Sequence, residues 1–172
     1  KLPVAWNSSG YETVETVNIA AEVVDIWLPD IKTMDKEVAR RIYGVEKYPE
    51  AAGQALLAMA DSSLPELDDE GRMRRGLMVR HLLLPGEMES TRGVLEWFSG
   101  NLAGRAWMSL MTQYTPVRIP GEKRHIPGRQ LNRIEYETAL GWLDEFGIDD
   151  GFVQDLVSGD DWLPDFRRAN PF

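Results

Sequence analysis

The feature that most constrains this chain is a regular alternation of short apolar runs with longer stretches of helical spacing. Leu2 to Trp6, Val23 to Leu28, Gly76 to Leu84 and Arg105 to Tyr114 are rich in β-branched, aromatic and long apolar residues, nearly continuous rather than alternating. Such runs predict strands covered on both faces, as in a parallel sheet. Between and after them lie helical patterns. Glu12 to Glu22 and Asp35 to Ile42 read as helices, and Tyr48 to Ala60 places Ala51, Ala55, Leu56 and Met59 at helical spacing. Ser90 to Leu102 puts Val94, Leu95 and Phe98 on one face. Asn132 opens a last helix to Phe146, with Glu135 three positions on to complete a capping box and Gly147 to stop it.

Strand followed by helix at this spacing predicts right-handed βα units and a parallel sheet. Four units make an α/β fold, either an open doubly wound sheet or part of a (β/α) barrel, and in sequential order they are expected to form an open, strongly curved sheet with helices on its convex face and an unusually exposed concave face. The 172 residues amount to one domain. Leu64 to Arg75, rich in acids and Arg, reads as an exposed loop. Residues 1–147 form the expected body and 148–172 a tail, whose Phe152, Trp162, Phe166 and Phe172 suggest a segment laid across that body. The first strand is expected to pair its free edge with another copy of the chain or to have it covered by the tail.

Charge and composition remove several functions. Lys and Arg number 19 against 28 Asp and Glu, a net charge of −9, which argues against a nucleic-acid binder or an anionic-membrane binder. No apolar run approaches the length of a bilayer-crossing helix. The chain has no cysteine, so it contains no disulfide, thiol nucleophile or thiolate-held iron–sulfur cluster, and its two histidines make a His-rich metal site unexpected. It begins Lys1-Leu2-Pro3 and enters a strand-like run almost at once. A piece of a longer, cytoplasmic protein is therefore the expectation.

In parallel α/β folds reactive groups lie at the carboxyl ends of the strands. Here those ends are Asn7-Ser8-Ser9-Gly10, Pro29-Asp30-Ile31-Lys32, Pro85-Gly86-Glu87 after Arg80-His81, and Thr112-Gln113-Tyr114. Asp30 and Lys32 are two apart and point to one side of an extended strand. Together they can grip an amino acid, the carboxylate taking its ammonium group and the ammonium its carboxylate; an inert strand-end ion pair is the alternative. Asn7, Ser8 and Ser9 can hydrogen-bond a ribose, a carboxylate or a cation, or simply make a turn. Arg80 and His81 face opposite sides, and a lone strand histidine is also read as a satisfied core residue. Gln113 has amide groups suited to a base or ribose, whereas His125 reads as part of a solvated loop. There is no G-x-G-x-x-G, no nucleophile elbow and no EF-hand spacing in the acidic Glu66 to Glu70 cluster.

Four strings carry a family resemblance: Asn7-Ser-Ser-Gly-Tyr11, Val24-Asp-Ile-Trp-Leu-Pro-Asp-Ile-Lys32, Val79-Arg-His-Leu-Leu-Leu-Pro-Gly86 and Met111-Thr-Gln-Tyr-Thr-Pro116. They resemble the second half of the radical S-adenosylmethionine (SAM) proteins related to pyruvate formate-lyase activating enzyme, in particular an uncharacterised iron–sulfur branch. The resemblance covers roughly residues 1–147. It implies a partial (β/α)6 barrel of which this chain carries strands three to six. The C-x-x-x-C-x-x-C loop after the family's first strand and the Gly-Gly-Glu-type motif after its second are not in this sequence.

The resemblance further implies that the full-length protein is an activase-like radical-SAM oxidoreductase with SAM and a [4Fe–4S] cluster as cofactors. One-electron reduction would yield a 5′-deoxyadenosyl radical that takes hydrogen from a substrate, in the activases a glycine of a glycyl-radical partner enzyme. Without thiolates, this chain alone is expected to hold no cluster and to be inactive. Asp30 and Lys32 match the family's Asp-x-Lys, and with Asn7, Ser8, Ser9 and Gln113 they are the implied cofactor-binding residues. Arg80 and His81 lie on its substrate- or cofactor-facing strand. Asn7 stands where the family more often has Asp, which removes a charge from the place where activases hold a cation, and Gln113 stands where His is frequent. Two other functions fit the residues: a metal-independent hydrolase or lyase with Asp30 or Glu87 as base, and a non-catalytic binding module using the aromatic tail.

Overall fold

The computed structural model describes residues 2–116 and 125–156. Its elements are β1 (Ala5–Ser8), α1 (Val14–Ala20), β2 (Ile26–Pro29), a short α2 (Lys36–Val38) running into a π-helical turn (Ala39–Tyr43), α3 (Tyr48–Ser62), β3 (Glu66–Leu67), β4 (Met73–Leu82), α4 (Met88–Leu102), β5 (Trp107–Met111), α5 (Arg133–Glu145) and β6 (Gly151–Val153). The strands β1-β2-β4-β5-β6 lie side by side in that order and all run parallel. This is the expected α/β architecture, a partial β/α barrel built from successive βα units.

Two features differ from the expectation. The Leu64 to Arg75 segment is not simply a loop: β3 folds back on the start of β4 as an antiparallel hairpin, Glu66 opposite Arg75 and Leu67 opposite Met73. Its charges obscure the pairing because β3 is two exposed residues long. The parallel sheet also extends to a fifth strand, β6, in the segment assigned to the tail, with Ser109 opposite Phe152 and Leu110 opposite Val153. A three-residue strand shows no periodicity in sequence. Gly151, at φ 152°, lets the Met108 backbone approach where a Cβ would collide with it. Phe152 lies against Trp107, ring centroids 5.5 Å apart; Trp162, Phe166 and Phe172 lie outside the described residues.

Burial departs from strands covered on both faces and agrees with the exposed concave face expected of a curved partial barrel. Trp27, Leu77, Val79, Met108 and Leu110 are buried against the helices, but the alternate residues Leu28, Met78, Arg80, Leu82 and Met111 are only half-buried. One face of the sheet is therefore open. Its apolar side chains hide the in–out alternation that would have announced it.

The helices pack on the other face around Leu56, Met59, Val94, Leu95, Phe98 and Leu143, a core continuous with the sheet. Each fully buried Leu or Phe there contributes roughly 1.5–3 kcal/mol. Local signals start the helices. Thr13 caps α1 by accepting from Thr16 N–H at 3.1 Å, and Asp35 caps α2 by accepting from Glu37 and Val38 N–H at 2.7 and 3.0 Å. At α5 the expected capping box is present, with Asn132 and Glu135 bonding each other's backbone. No helix among the described residues is long and apolar enough to cross a membrane.

Among the described residues, β1 pairs with β2 alone and has an unpaired outer edge. Leu2, Val4, Trp6, Ile19 and Val23 are exposed along it.

Candidate site at the carboxyl ends of the strands

The carboxyl ends of β1, β2 and β4 bring four side chains together. Asp30 follows β2, and the parallel register sets it beside Arg80 of β4. Lys32 Nζ donates to Asp30 Oδ2 at 2.5 Å. Arg80 Nη2 donates to Asn7 Oδ1 at 2.6 Å and lies 2.6 Å from Asp30 Oδ1. That last contact is ionic but off the hydrogen-bond axis, so Asp30 Oδ1 and Arg80 Nε are both buried without a hydrogen-bond partner. The side chains of Asp30, Arg80 and Lys32 are 18, 25 and 28% exposed, so the cluster is half-shielded yet reachable. Two cations against one carboxylate leave it one net positive charge. The guanidinium occupies the space between the Asn7 and Asp30 oxygens, a positive charge supplied by the chain itself.

Backbone geometry holds this cluster in place. Asp30 N–H donates to Ser8 O at 2.9 Å and Ile31 N–H to Arg80 O at 2.8 Å, which ties the three strand ends together. Gly10, at φ +72°, packs so closely that a Cβ would stand 2.5 Å from Asp30 O, so the Asn7-Ser-Ser-Gly10 turn requires glycine. Ser8 Oγ accepts from Gly10 N–H at 3.2 Å inside that turn, and Ser9 is exposed.

Tyr48, which the sequence did not single out as a site residue, fastens the turn to β2. Its hydroxyl accepts from Lys32 N–H at 2.9 Å and has Ser9 O and Asp30 O both at 2.8 Å to receive its proton. Burial pushes the phenol far above its ordinary pKa, so it stays protonated and can donate. Tyr11 stacks on its ring at 5.8 Å. A buried tyrosine at a helix start is the only sequence signal for this role.

The remaining expected residues lie elsewhere. His81, expected to face substrate or cofactor beside Arg80, is on the helix side of β4 and 2% exposed. Its Nδ1–H donates to Ile31 O at 2.8 Å and its Nε2, 3.1 Å from Thr91 Oγ1, accepts the threonine proton. A carbonyl cannot donate, so this is the neutral tautomer protonated on Nδ1. Gln113 also departs from the cluster: its Oε1 accepts from Gln154 Nε2 at 3.0 Å, because β6 brings Gln154 alongside. Glu87, a candidate base, has Oε2 2.7 Å from Arg41, and both Asp30 oxygens contact cations, so neither carboxylate presents an unengaged pair of oxygens to a proton. No group of three or more His, Asp or Glu among the described residues could hold a metal ion.

Burial pushes the His81 pKa from its ordinary 6.5 down to about 4. Between those values the unfolded chain takes up a proton that the folded chain refuses, so stability is complete above about pH 6.5 and declines as pH falls toward 4. The expected loss is on the order of 3 kcal/mol. Urea unfolding of wild type and His81→Gln across this range checks it: the wild-type curve should fall more steeply, and parallel curves would contradict the assignment.

A pocket of about 190 Å³ opens next to Lys32, between the π-helical turn and the ends of β4 and β5.

No family model matches the chain. Over 149 residues it is 29% identical to an uncharacterised protein of Methanocaldococcus jannaschii, covering 86% of this chain and 40% of that protein's length. Among solved structures, a domain of pyruvate formate-lyase activating enzyme from Bacteroides vulgatus superposes with a TM-score of 0.58 at 15% identity, over 87% of this chain and 80% of that one. The chain shares that domain's fold. Streptococcus suis SuiB has the same fold, with a TM-score of 0.54 at 9% identity over 87% of this chain and 32% of its own. This activase-like fold agrees with the resemblance carried by the Leu-Pro-Asp-x-Lys and Arg-His-Leu-Leu-Leu-Pro-Gly strings. At these identities the structural likeness concerns architecture, and the chain spans less than half of the curated relative.

Proposed function

We propose that this chain is the SAM-binding carboxyl-side part of an activase-like radical-SAM enzyme. The observation that carries the reading is the half-shielded cluster of Asp30, Lys32 and Arg80 beside the exposed Asn7 at the strand ends, with a net positive charge and two buried polar atoms that make no hydrogen bond, the ion-paired Asp30 Oδ1 and Arg80 Nε. A buried polar atom without a partner costs about 1–3 kcal/mol, which a ligand that supplies the partner recovers. An α-amino acid head group has the matching chemistry. Its carboxylate meets Lys32 and Arg80, its ammonium meets Asp30, and Asn7 adds a neutral acceptor.

SAM therefore fits the residues present. The cluster does not, since the chain has no cysteine, and its ligands are assigned to residues outside these 172. When SAM and a reduced cluster are both bound, the cofactor supplies a radical that takes hydrogen from a substrate, a glycine of a partner protein or another C–H donor. The role of this chain is to hold and orient SAM. The exposed edge of β1, with Trp6, Ile19 and Val23, is assigned to pairing with a strand of the remaining barrel or with a second copy. The hydrolase reading loses ground at Glu87, whose carboxylate is engaged by Arg41.

The test uses the full-length protein, reconstituted anaerobically with iron and sulfide, reduced and given SAM. Formation of 5′-deoxyadenosine and methionine is expected. A reconstituted, reduced protein that leaves SAM intact would overturn the reading.

A further inference from the structure

The pocket beside Lys32 sits at the carboxyl ends of β2, β4 and β5 and shares that residue with the charged cluster. Its walls are Ile42 and Tyr43 from the π-helical turn, Leu82 and Leu84 from the end of β4, and Tyr114 after β5. Ile126 and Pro127 close the remaining side, where the Tyr114 hydroxyl donates to Pro127 O at 2.6 Å. Among the described residues, Lys32 is the one charged side chain in the lining. Its ammonium is bound to Asp30, so its hydrocarbon stem is the main contribution it makes to the wall. Short π-helical segments recur at functional sites, and this one supplies two of the walls.

Size and polarity together decide what such a pocket accepts. An apolar cavity of about 150 Å³ holds benzene, and drug-sized ligands need roughly 300 Å³ or more. At about 190 Å³ there is room for a phenyl ring or a branched aliphatic group with one or two further carbons. A peptide backbone is a poor occupant, because its amide groups would find few partners among these walls. A cationic group would lose its hydration beside an existing ammonium.

We propose that this pocket is a substrate subsite that takes an uncharged phenyl-sized or branched aliphatic group, held next to the SAM-binding cluster. The assignment of that group to a substrate rests on the function proposed above. The reacting molecule thus carries an apolar side group close to the hydrogen it gives up, and the backbone of a glycine alone would leave the subsite unfilled.

The experiment is ligand-observed NMR on the full-length protein without SAM, using benzyl alcohol, benzylamine and 1-naphthalenemethanol as probes. Benzyl alcohol should bind, and benzylamine should bind at least about fivefold more weakly. Leu82→Trp, which fills a half-buried position in the wall, should weaken benzyl alcohol about tenfold or more while leaving SAM affinity within about twofold. Tyr114→Ala, which enlarges the pocket, should improve 1-naphthalenemethanol relative to benzyl alcohol by about fivefold or more, and decides the matter if Leu82→Trp does not fold. No binding of benzyl alcohol to wild type, or probe affinities unchanged by the folded variant, would overturn the subsite. A protein that cleaves SAM but binds no probe loses this inference alone. One that binds the probes as expected but never cleaves SAM keeps the pocket and loses the function.

Discussion

Replacing Glu135 by alanine is expected to lower the unfolding free energy by about 3–5 kcal/mol at neutral pH. Glu135 is only 8% exposed, and its carboxylate serves two parts of the fold at once. It accepts from Asn132 N–H at 3.0 Å as half of the α5 capping box and from Gly86 N–H at 2.7 Å in the turn that follows β4. Arg129 adds a two-pronged ion pair at 2.6 and 2.7 Å. Alanine leaves two backbone donors and a guanidinium without their acceptor and frees the β4–α4 turn from α5.

The Arg129 guanidinium, with the Asn132 and Gly86 N–H groups, holds the Glu135 carboxyl down to about 2 from its ordinary 4.5. Between those values the unfolded state binds the proton, so this contribution is full above about pH 4.5 and disappears as pH falls through 2. Wild type and variant should therefore differ widely in urea midpoint at pH 7 and converge near pH 2. A loss below about 0.5 kcal/mol at pH 7 would contradict the account, since that is the usual range of an exposed surface substitution.

The second large effect is on ligand binding. Arg80→Met in the full-length protein should weaken SAM binding about 30- to 100-fold, the equivalent of roughly 2–3 kcal/mol for a lost charge-assisted contact with the carboxylate. Arg80 is expected to matter more than Lys32 because it also braces Asn7 at 2.6 Å and sits against Asp30. Lys32→Ala should weaken binding by about tenfold or somewhat more, at the lower end of the charge-assisted range of roughly 1.5–3 kcal/mol. Iron content should be unchanged in both variants, since neither residue is a cluster ligand. Equilibrium dialysis with labelled SAM reads the affinities. Wild-type affinity in Arg80→Met, with the fold intact by circular dichroism, would sink the binding role of the cluster.

Much of the fold could be read from local pattern, because helices and caps depend on residues a few positions apart. The Asn132–Glu135 box and the faces of α3 and α4 are of this kind. What escaped depends on pairing across the chain. β3 and β6 are two and three residues long, and only their partners β4 and β5 make them strands. The open face was legible from the curved barrel rather than from its residues: Leu28, Met78, Leu82 and Met111 look like core residues, and nothing local distinguishes half-buried from buried.

The site divides along the same line. The Asp30–Lys32 pair is a matter of spacing by two and was legible, and it forms at 2.5 Å. The bond from Arg80 to Asn7 joins residues 73 positions apart and exists only because the parallel register aligns three strand ends. Strand alternation already sent Arg80 and His81 to opposite faces, and the helices' choice of face put His81 in the core. Gln113 was drawn to Gln154 by a strand that the sequence did not reveal.

The most direct test of the central claim is a crystal structure of the full-length protein grown anaerobically with SAM. The account predicts the SAM carboxylate within hydrogen-bond distance of Lys32 Nζ or the Arg80 guanidinium, and its ammonium beside Asp30. SAM bound elsewhere, with Arg80 still bridging Asn7 and Asp30 and no ligand atom in reach, would contradict it.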